Sequence, residues 1–326
     1  MTKKVIAVMD CDEIAYTVAA ACEKRTVLVT NTTNGESSSF KHRTELKKFL
    51  AGLEVPVDFF SVEDVQTADD LVNALHSVKM VIKSNEEACK SDVTELYISG
   101  KDNFRDSIPL PTKYKSGRAD NLRPLLLDDI RKYLIEKRGA IVVNSKETDD
   151  QICQRMHDGY VSGQKIIGIT CDKDACGSNG WLFNPDKMSE PEYIDGLGSI
   201  WLDDKGKVRG KGRKWLYVQI CIGDSTDTYN PSEIAKVKYG EKSAYKLLEP
   251  LQTDKECWQA IYNLYKTWYP AEVKYKDWVG EEREVDVLFI LQMYFDCARM
   301  RRWDGDVVSV KEILTKMGVK IDQTNE

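Results

Sequence analysis

The stretch Val5-Ile6-Ala7-Val8-Met9-Asp10-Cys11-Asp12 decides how this chain folds, because an unbroken apolar run ends directly in carboxylates. A short continuous run of this kind suits a strand buried on both faces of a parallel sheet. The pattern recurs. Leu96-Tyr97-Ile98 precedes Asp102, and Ala140-Ile141-Val142-Val143 precedes Glu147, Asp149 and Asp150. Ile166-Ile167-Gly168-Ile169 precedes Asp172 and Asp174, and Leu216-Tyr217-Val218-Gln219-Ile220 precedes Asp224 and Asp227. In an open α/β sheet, functional groups collect at the carboxyl ends of the strands. So many carboxylates on one rim repel each other unless cations neutralise them, which predicts a Mg²⁺ or Mn²⁺ site.

Between these runs the spacing predicts helices over about 14–23, 46–53, 69–85, 125–137 and 149–158, with β-prone residues at 26–30 and β-hairpins over 180–215. Pro109, Pro111, Gly117 and Pro124 among basic residues mark 103–124 as an exposed segment. Beyond Asp227 helical spacing dominates, at 242–248, 255–265 and 285–299. The fold class expected is α/β, a twisted and mainly parallel central sheet flanked by helices. Residues 1–225 form the sheet domain and 226–326 a helical C-terminal region.

A chain of 326 residues has ample apolar content for a core. No signal peptide or apolar run of membrane-spanning length is visible, so a soluble cytoplasmic protein without membrane contact, and a monomer, is expected. Nine scattered cysteines with no CxxC pair read as reduced thiols rather than a disulfide frame or zinc site. His42, His76 and His157 fall in no ligand-like spacing. The net charge of −6 argues against a nucleic-acid partner until the acidic clusters are set aside. Local basic clusters then stand out: residues 205–214, Lys113-Tyr114-Lys115 with Arg118 and Arg123, and Arg299 with Arg301 and Arg302. The first of these reads more readily as a solvated β-turn than as a phosphate track.

Phosphodiester hydrolysis at neutral pH needs an activated water and neutralised charge on the attacking and leaving oxygens, which paired divalent ions supply. Mg²⁺ takes carboxylates, directly or through water, rather than His or Cys. An Asp at a strand-to-helix junction also serves as an N-cap. One cap, however, explains only one of the three carboxylates in Glu147-Thr148-Asp149-Asp150.

Met9-Asp10-Cys11-Asp12, Lys113-Tyr114-Lys115-Ser116-Gly117-Arg118, Glu147-Thr148-Asp149-Asp150, Thr170-Cys171-Asp172-Lys173-Asp174 and Gly223-Asp224-Ser225-Thr226-Asp227 follow in that order. Together they resemble the motifs of the bacteriophage 5′→3′ exonuclease and flap endonuclease family, with matching order and approximate spacing over 5–250. The resemblance implies two or more Mg²⁺ or Mn²⁺ ions and a DNA partner with 5′ ends, flaps or duplex, with RNA–DNA hybrids as a further substrate class. It assigns Asp10, Glu147, Asp149, Asp150, Asp172, Asp174, Asp224 and Asp227 as metal ligands, with Asp12 and Asp102 as further candidates. It puts Asp172 and the 147–150 group nearer one ion, and Asp174, Asp224 and Asp227 nearer the other. It gives Lys115 and Arg118 the scissile phosphate, Tyr114 a terminal base to stack on, and Lys113 and Arg105 further substrate contacts.

The chain departs from that family at three places. Ser99-Gly100-Lys101-Asp102 stands where an Asp usually ends the second strand. The interval from Arg118 to Glu147 is short for a threading arch. Asn230-Pro231-Ser232-Glu233 stands where the family has glycines of a helix-hairpin-helix element, the element at which the resemblance implies a K⁺ ion. Two rivals follow from the residues. One is a haloacid-dehalogenase-like phosphatase with Asp10 as nucleophile, which leaves the 114–118 and 147–150 motifs unexplained. The other is a catalytically impaired DNA-binding relative of the nucleases.

Overall fold

The structure, a computed structural model, describes residues 3–52, 57–118 and 121–321. Four of the five apolar runs become neighbouring parallel strands, Ile6–Asp10, Val93–Ser99, Ile141–Val143 and Ile166–Ile169. The six-stranded sheet runs in the spatial order Ile141–Val143, Val93–Ser99, Ile6–Asp10, Ile166–Ile169, Gly180–Phe183, Glu192–Ile194, with only the last strand antiparallel. The chain builds outward on one side of Ile6–Asp10 and then returns to its other side. That reversal is a topological switch point, where the chain segments leaving two adjacent strands diverge and open a crevice. Asp10 and the Asp172–Asp174 loop sit at its mouth.

Contacts divide the chain into two units. One takes in the segments up to Cys11, from Ser84 to Asn121 and from Ala140 onward, and so holds the sheet together with the C-terminal helices. In its sheet core Val8, Tyr97, Val143, Ile166 and Leu182 pack with Ile152 and Met156 of the helix Thr148–Ser162. Gly168 permits that approach, since a Cβ there would lie 2.5 Å from Met156 Sδ. The helix starts where the sequence predicts, on a capping box in which Glu147 and Asp150 each accept the other's backbone amide. The helices Glu241–Leu248, Asp254–Trp268 and Val287–Ala298 match the expected C-terminal segments and bury an aromatic-rich core.

The second unit covers the segments Asp12–Lys83 and Leu122–Gly139. It contains a three-stranded antiparallel sheet in the order Ser37–Phe40, Glu23–Asn31, Phe60–Ala68, with Val27, Val29 and Leu46 at its centre. The strand Phe60–Ala68 was not foreseen. The helix expected over 46–53 is Arg43–Ala51, and Leu53 lies outside the described residues.

One strand expectation is wrong. The run Leu216–Ile220 lies within a helix, Arg213–Ile222, not a strand. Trp215, Tyr217, Val218, Gln219, Ile220 and Cys221 are all buried, and a helix enclosed on nearly every side reads as a continuous apolar run just as a buried strand does. Sequence reading also missed the hairpin Val273–Lys276/Glu282–Val285 and the short helix Val310–Lys316.

Candidate metal centre

Two loops deliver the tightest carboxylate group. Asp172 and Asp174 follow the strand Ile166–Ile169, while Asp224 and Asp227 follow the helix Arg213–Ile222. Trp215 Nε1 donates to Lys173 O at 2.7 Å and so ties that helix to the first loop. Asp224 and Tyr229 exchange backbone hydrogen bonds of 3.0 and 3.1 Å, which closes the second. As a result one carboxylate oxygen from each of Asp174, Asp224 and Asp227 lies within 4.8 Å of the others.

A second group centres on Asp149, in the first turn of Thr148–Ser162. Thr170 Oγ1 donates to Asp149 Oδ1 at 3.1 Å and accepts from Asp172 N at 3.0 Å, so one hydroxyl aligns the two strand ends. Burial, and then the charges of Asp172, Asp10 and Glu147, hold the Asp149 carboxyl well above the ordinary range. Asp10 is itself buried.

Two residues that sequence reading did not single out complete the cluster. Lys173 Nζ bridges Asp224 and Asp174, 3.1 Å from Asp174 Oδ1. Gln219 is buried and donates through Nε2 to the same Asp174 oxygen. The signal for Lys173 was its place between two aspartates. Gln219 was hidden inside the run misread as a strand.

Burial, reinforced by Asp172 and opposed by Lys173, pushes the Asp174 carboxyl up to about 7, against 3.8 for a free aspartate. Between those values the folded chain binds a proton that the unfolded chain lacks, so stability falls as pH rises through the window. In EDTA the protein is expected to lose several degrees of melting temperature between pH 5 and pH 8 relative to Asp174→Asn, and Mg²⁺ should restore part of this at pH 8. Parallel melting curves for the two proteins would remove Asp174 from a charge-crowded centre. Asp224 goes the other way: burial raises it, but the Lys173 contact outweighs that and leaves its carboxyl below the ordinary range.

The basic arm faces these carboxylates. Lys115 adopts a left-handed backbone, φ 57°, and its amide donates to Asp227 O at 2.8 Å. Its Nζ pairs with Glu147 and lies 3.7 Å from Asp227 Oδ1, which also accepts from Arg118 Nη2 at 2.7 Å. Lys113 Nζ lies over the Trp278 ring at 5.0 Å.

Four expected site residues are placed differently. Arg105 is 1% exposed and forms a two-pronged ion pair with Asp150 at 2.6 and 3.1 Å, so it is a buried strut rather than a substrate contact. Asp150 is correspondingly committed: besides Arg105, its oxygens accept from the amides of Glu147 and Arg301. Tyr114 is 5% exposed, which rules out base stacking, and its hydroxyl donates to Asp227 Oδ2 at 2.7 Å. Asp12 lies in the second unit, paired with Arg131.

At the second strand end no carboxylate fits beside Gly100, where a Cβ would fall 2.1 Å from Asn144 Oδ1. Ser99 Oγ instead pairs with Thr148 Oγ1 at 2.8 Å, and Asp102 is exposed with φ 63°. In the 205–214 cluster, Arg209 is paired with Asp203, Lys211 with Glu192 and Arg213 with Asp254, while Lys214 is buried against Glu249 O. That supports the reading of an ordinary turn.

No family model matches this chain, and no curated protein matches it. Three similar solved structures come from bacteriophage T5. One is a protein co-crystallised with metal ions, with a TM-score of 0.48, 11% identity, and 96% of this chain and 97% of that one covered. The second is a 5′-exonuclease with zinc bound, at 0.40, 12%, 90% and 98%. The third is a flap endonuclease in a pseudo-enzyme–product complex with DNA and metal ions, at 0.41, 12%, 96% and 98%.

Proposed function

We propose that this chain is a divalent-metal-dependent nuclease that hydrolyses DNA phosphodiester bonds from 5′ ends or at flaps. The observation that carries the reading is the convergence of carboxylates from separate segments into one cluster, with Lys115 and Arg118 turned toward them. The donor set is carboxylate oxygen, which suits Mg²⁺ or Mn²⁺. Asp174, Asp224 and Asp227 would hold one ion, and Asp149 with Asp10, Asp172 and Glu147 another. Such ions supply an activated water and neutralise charge on the attacking and leaving oxygens.

The chain's own groups do the rest. Lys115 offers a point charge and Arg118 a planar fork to the scissile or adjacent phosphate, once it displaces their carboxylate partners. Thr170 and Gln219 hold Asp149 and Asp174 in orientation. A phosphatase with Asp10 as nucleophile has no use for Asp149, Thr170 or the 114–118 arm.

Digestion of 5′-labelled duplex, flap and single-stranded DNA, with and without Mg²⁺, tests the proposal. Cation-dependent release of labelled products is expected. Salt-sensitive binding without cleavage at any Mg²⁺ or Mn²⁺ concentration would leave only the DNA-binding alternative. Lys115→Ala should slow single-turnover cleavage by about 10²–10³-fold, with the melting temperature little changed. A wild-type rate would take Lys115 out of the site.

A further inference from the structure

Five aromatic rings form a continuous strip on the unit that holds the main sheet, and the proposed chemistry gives none of them a role. His157 and Tyr160 lie three residues apart, on one face of the helix Thr148–Ser162. Trp181 and Tyr193 are paired directly across the last two strands of the sheet, so they share a face of it. Ring centroids are 5.7 Å apart from Trp303 to His157, 6.3 Å from His157 to Tyr160, 6.4 Å from Tyr160 to Tyr193 and 5.3 Å from Tyr193 to Trp181. These are not core side chains. Trp303 is 48% exposed and Tyr193 50%, and the other three are half-buried. A lone exposed aromatic needs no explanation, whereas a joined row of them marks a contact surface.

Cations flank the strip at both ends. Lys165 Nζ sits 4.4 Å from the Trp181 centroid, and the Arg302 guanidinium 4.4 Å from that of Trp303. Lys165 has no carboxylate partner among the described residues, and Lys3 bonds only to the carbonyls of Ser162 and Gly163 at the end of the same helix. The carboxylates that bear on His157 and Tyr160 are Asp158, Asp306 and Asp195. Each is already held, by Arg155, by Arg302 and by the Tyr160 hydroxyl. The occupant is therefore flat, repeating and anionic. Steps of 5.3–6.4 Å exceed the rise of about 3.4 Å per base in a duplex strand, so the rings suit bases that are unstacked and drawn apart. A polyproline helix repeats only about every 9 Å and brings no charge. A neutral glycan answers the rings and leaves the cations unused.

We propose that this strip binds single-stranded nucleic acid, with bases stacked on the exposed rings of Tyr193, Tyr160 and Trp303 and phosphates toward Lys165 and Arg302. A flap or a frayed end supplies such a strand, and that origin alone rests on the nuclease reading. The binding itself needs neither metal nor catalysis.

Anisotropy titrations of the full chain in EDTA test it, using labelled oligo-dT and oligo-rU of about twelve nucleotides and a blunt DNA hairpin. Binding of both single strands is expected, since stacking does not depend on the sugar. Tyr193→Leu combined with Trp303→Leu keeps apolar bulk at exposed positions and removes the flat faces. That protein should fold as wild type and bind both single strands at least about tenfold more weakly, with hairpin affinity unchanged. Tyr193→Phe keeps a ring and should bind as wild type does. Lys165→Gln should flatten the slope of log affinity against log salt by about 0.7. Single-strand affinity unmoved by the double substitution, or an equal loss on the hairpin, would overturn the assignment. So would displacement of oligo-dT by polyphosphate, decaproline or maltoheptaose as readily as by unlabelled oligo-dT. Hairpin cleavage in Mg²⁺ is read separately. Weakened single-strand binding in the double variant, with no cleavage by wild type, keeps the strip and removes the nuclease. Cleavage by wild type, with single-strand binding intact in the double variant, does the reverse.

Discussion

Asp174→Asn is expected to slow cleavage of 5′-labelled DNA by at least about 10³-fold while leaving DNA affinity largely intact. The substitution keeps the volume of a 6%-exposed side chain and an oxygen for Gln219, so the local fold survives. It removes one of the three charges whose oxygens lie within 4.8 Å of each other, and with it the means of holding a divalent ion there. Affinity for DNA is carried mainly by cations meeting phosphates. Asp172→Asn should behave alike. Single-turnover kinetics beside a binding titration at fixed salt separate the two effects, and undiminished turnover in either variant would refute the nuclease assignment.

Arg105→Met should destabilise the protein by about 3–5 kcal/mol, the largest stability loss expected from a single change near the site. The guanidinium is enclosed, bonded twice to Asp150, and donates to Cys297 O at 3.1 Å and Arg299 O at 3.2 Å. Removing it leaves a buried carboxylate with only two backbone amides as donors, and two carbonyls without the guanidinium. The loss also reaches the chemistry, because Asp150 caps the helix that carries Asp149. Urea unfolding measures the effect, and Arg105→Met combined with Asp150→Leu should regain much of the loss. A midpoint unmoved by Arg105→Met alone would remove Arg105 as a buried strut.

The sequence disclosed the sheet because its central strands are buried on both faces and bounded by acidic loops. Val5 to Met9 and Ile166 to Ile169 have no other use for so many β-branched and apolar side chains in a row. It disclosed the carboxylate centre because Asp and Glu recur after buried apolar runs more often than helix caps require. What it could not disclose was depth. Arg105, Tyr114 and Asp150 look like surface chemistry in one dimension, yet each is buried, and only tertiary contacts to residues far along the chain reveal their structural work. The misread helix Arg213–Ile222 has the same origin, since enclosure on all sides erases the periodicity that separates helix from strand.

Lys173 has a consequence for how the centre is loaded. Its ammonium group reaches into the gap between Asp174 and Asp224, so these anions keep a positive neighbour that cannot diffuse away. Uptake of an ion at the proposed centre would be an exchange, the tethered cation leaving the carboxylates that the free one takes. The acidic loops would then keep their arrangement with or without a bound ion, and occupancy would be graded by cation supply.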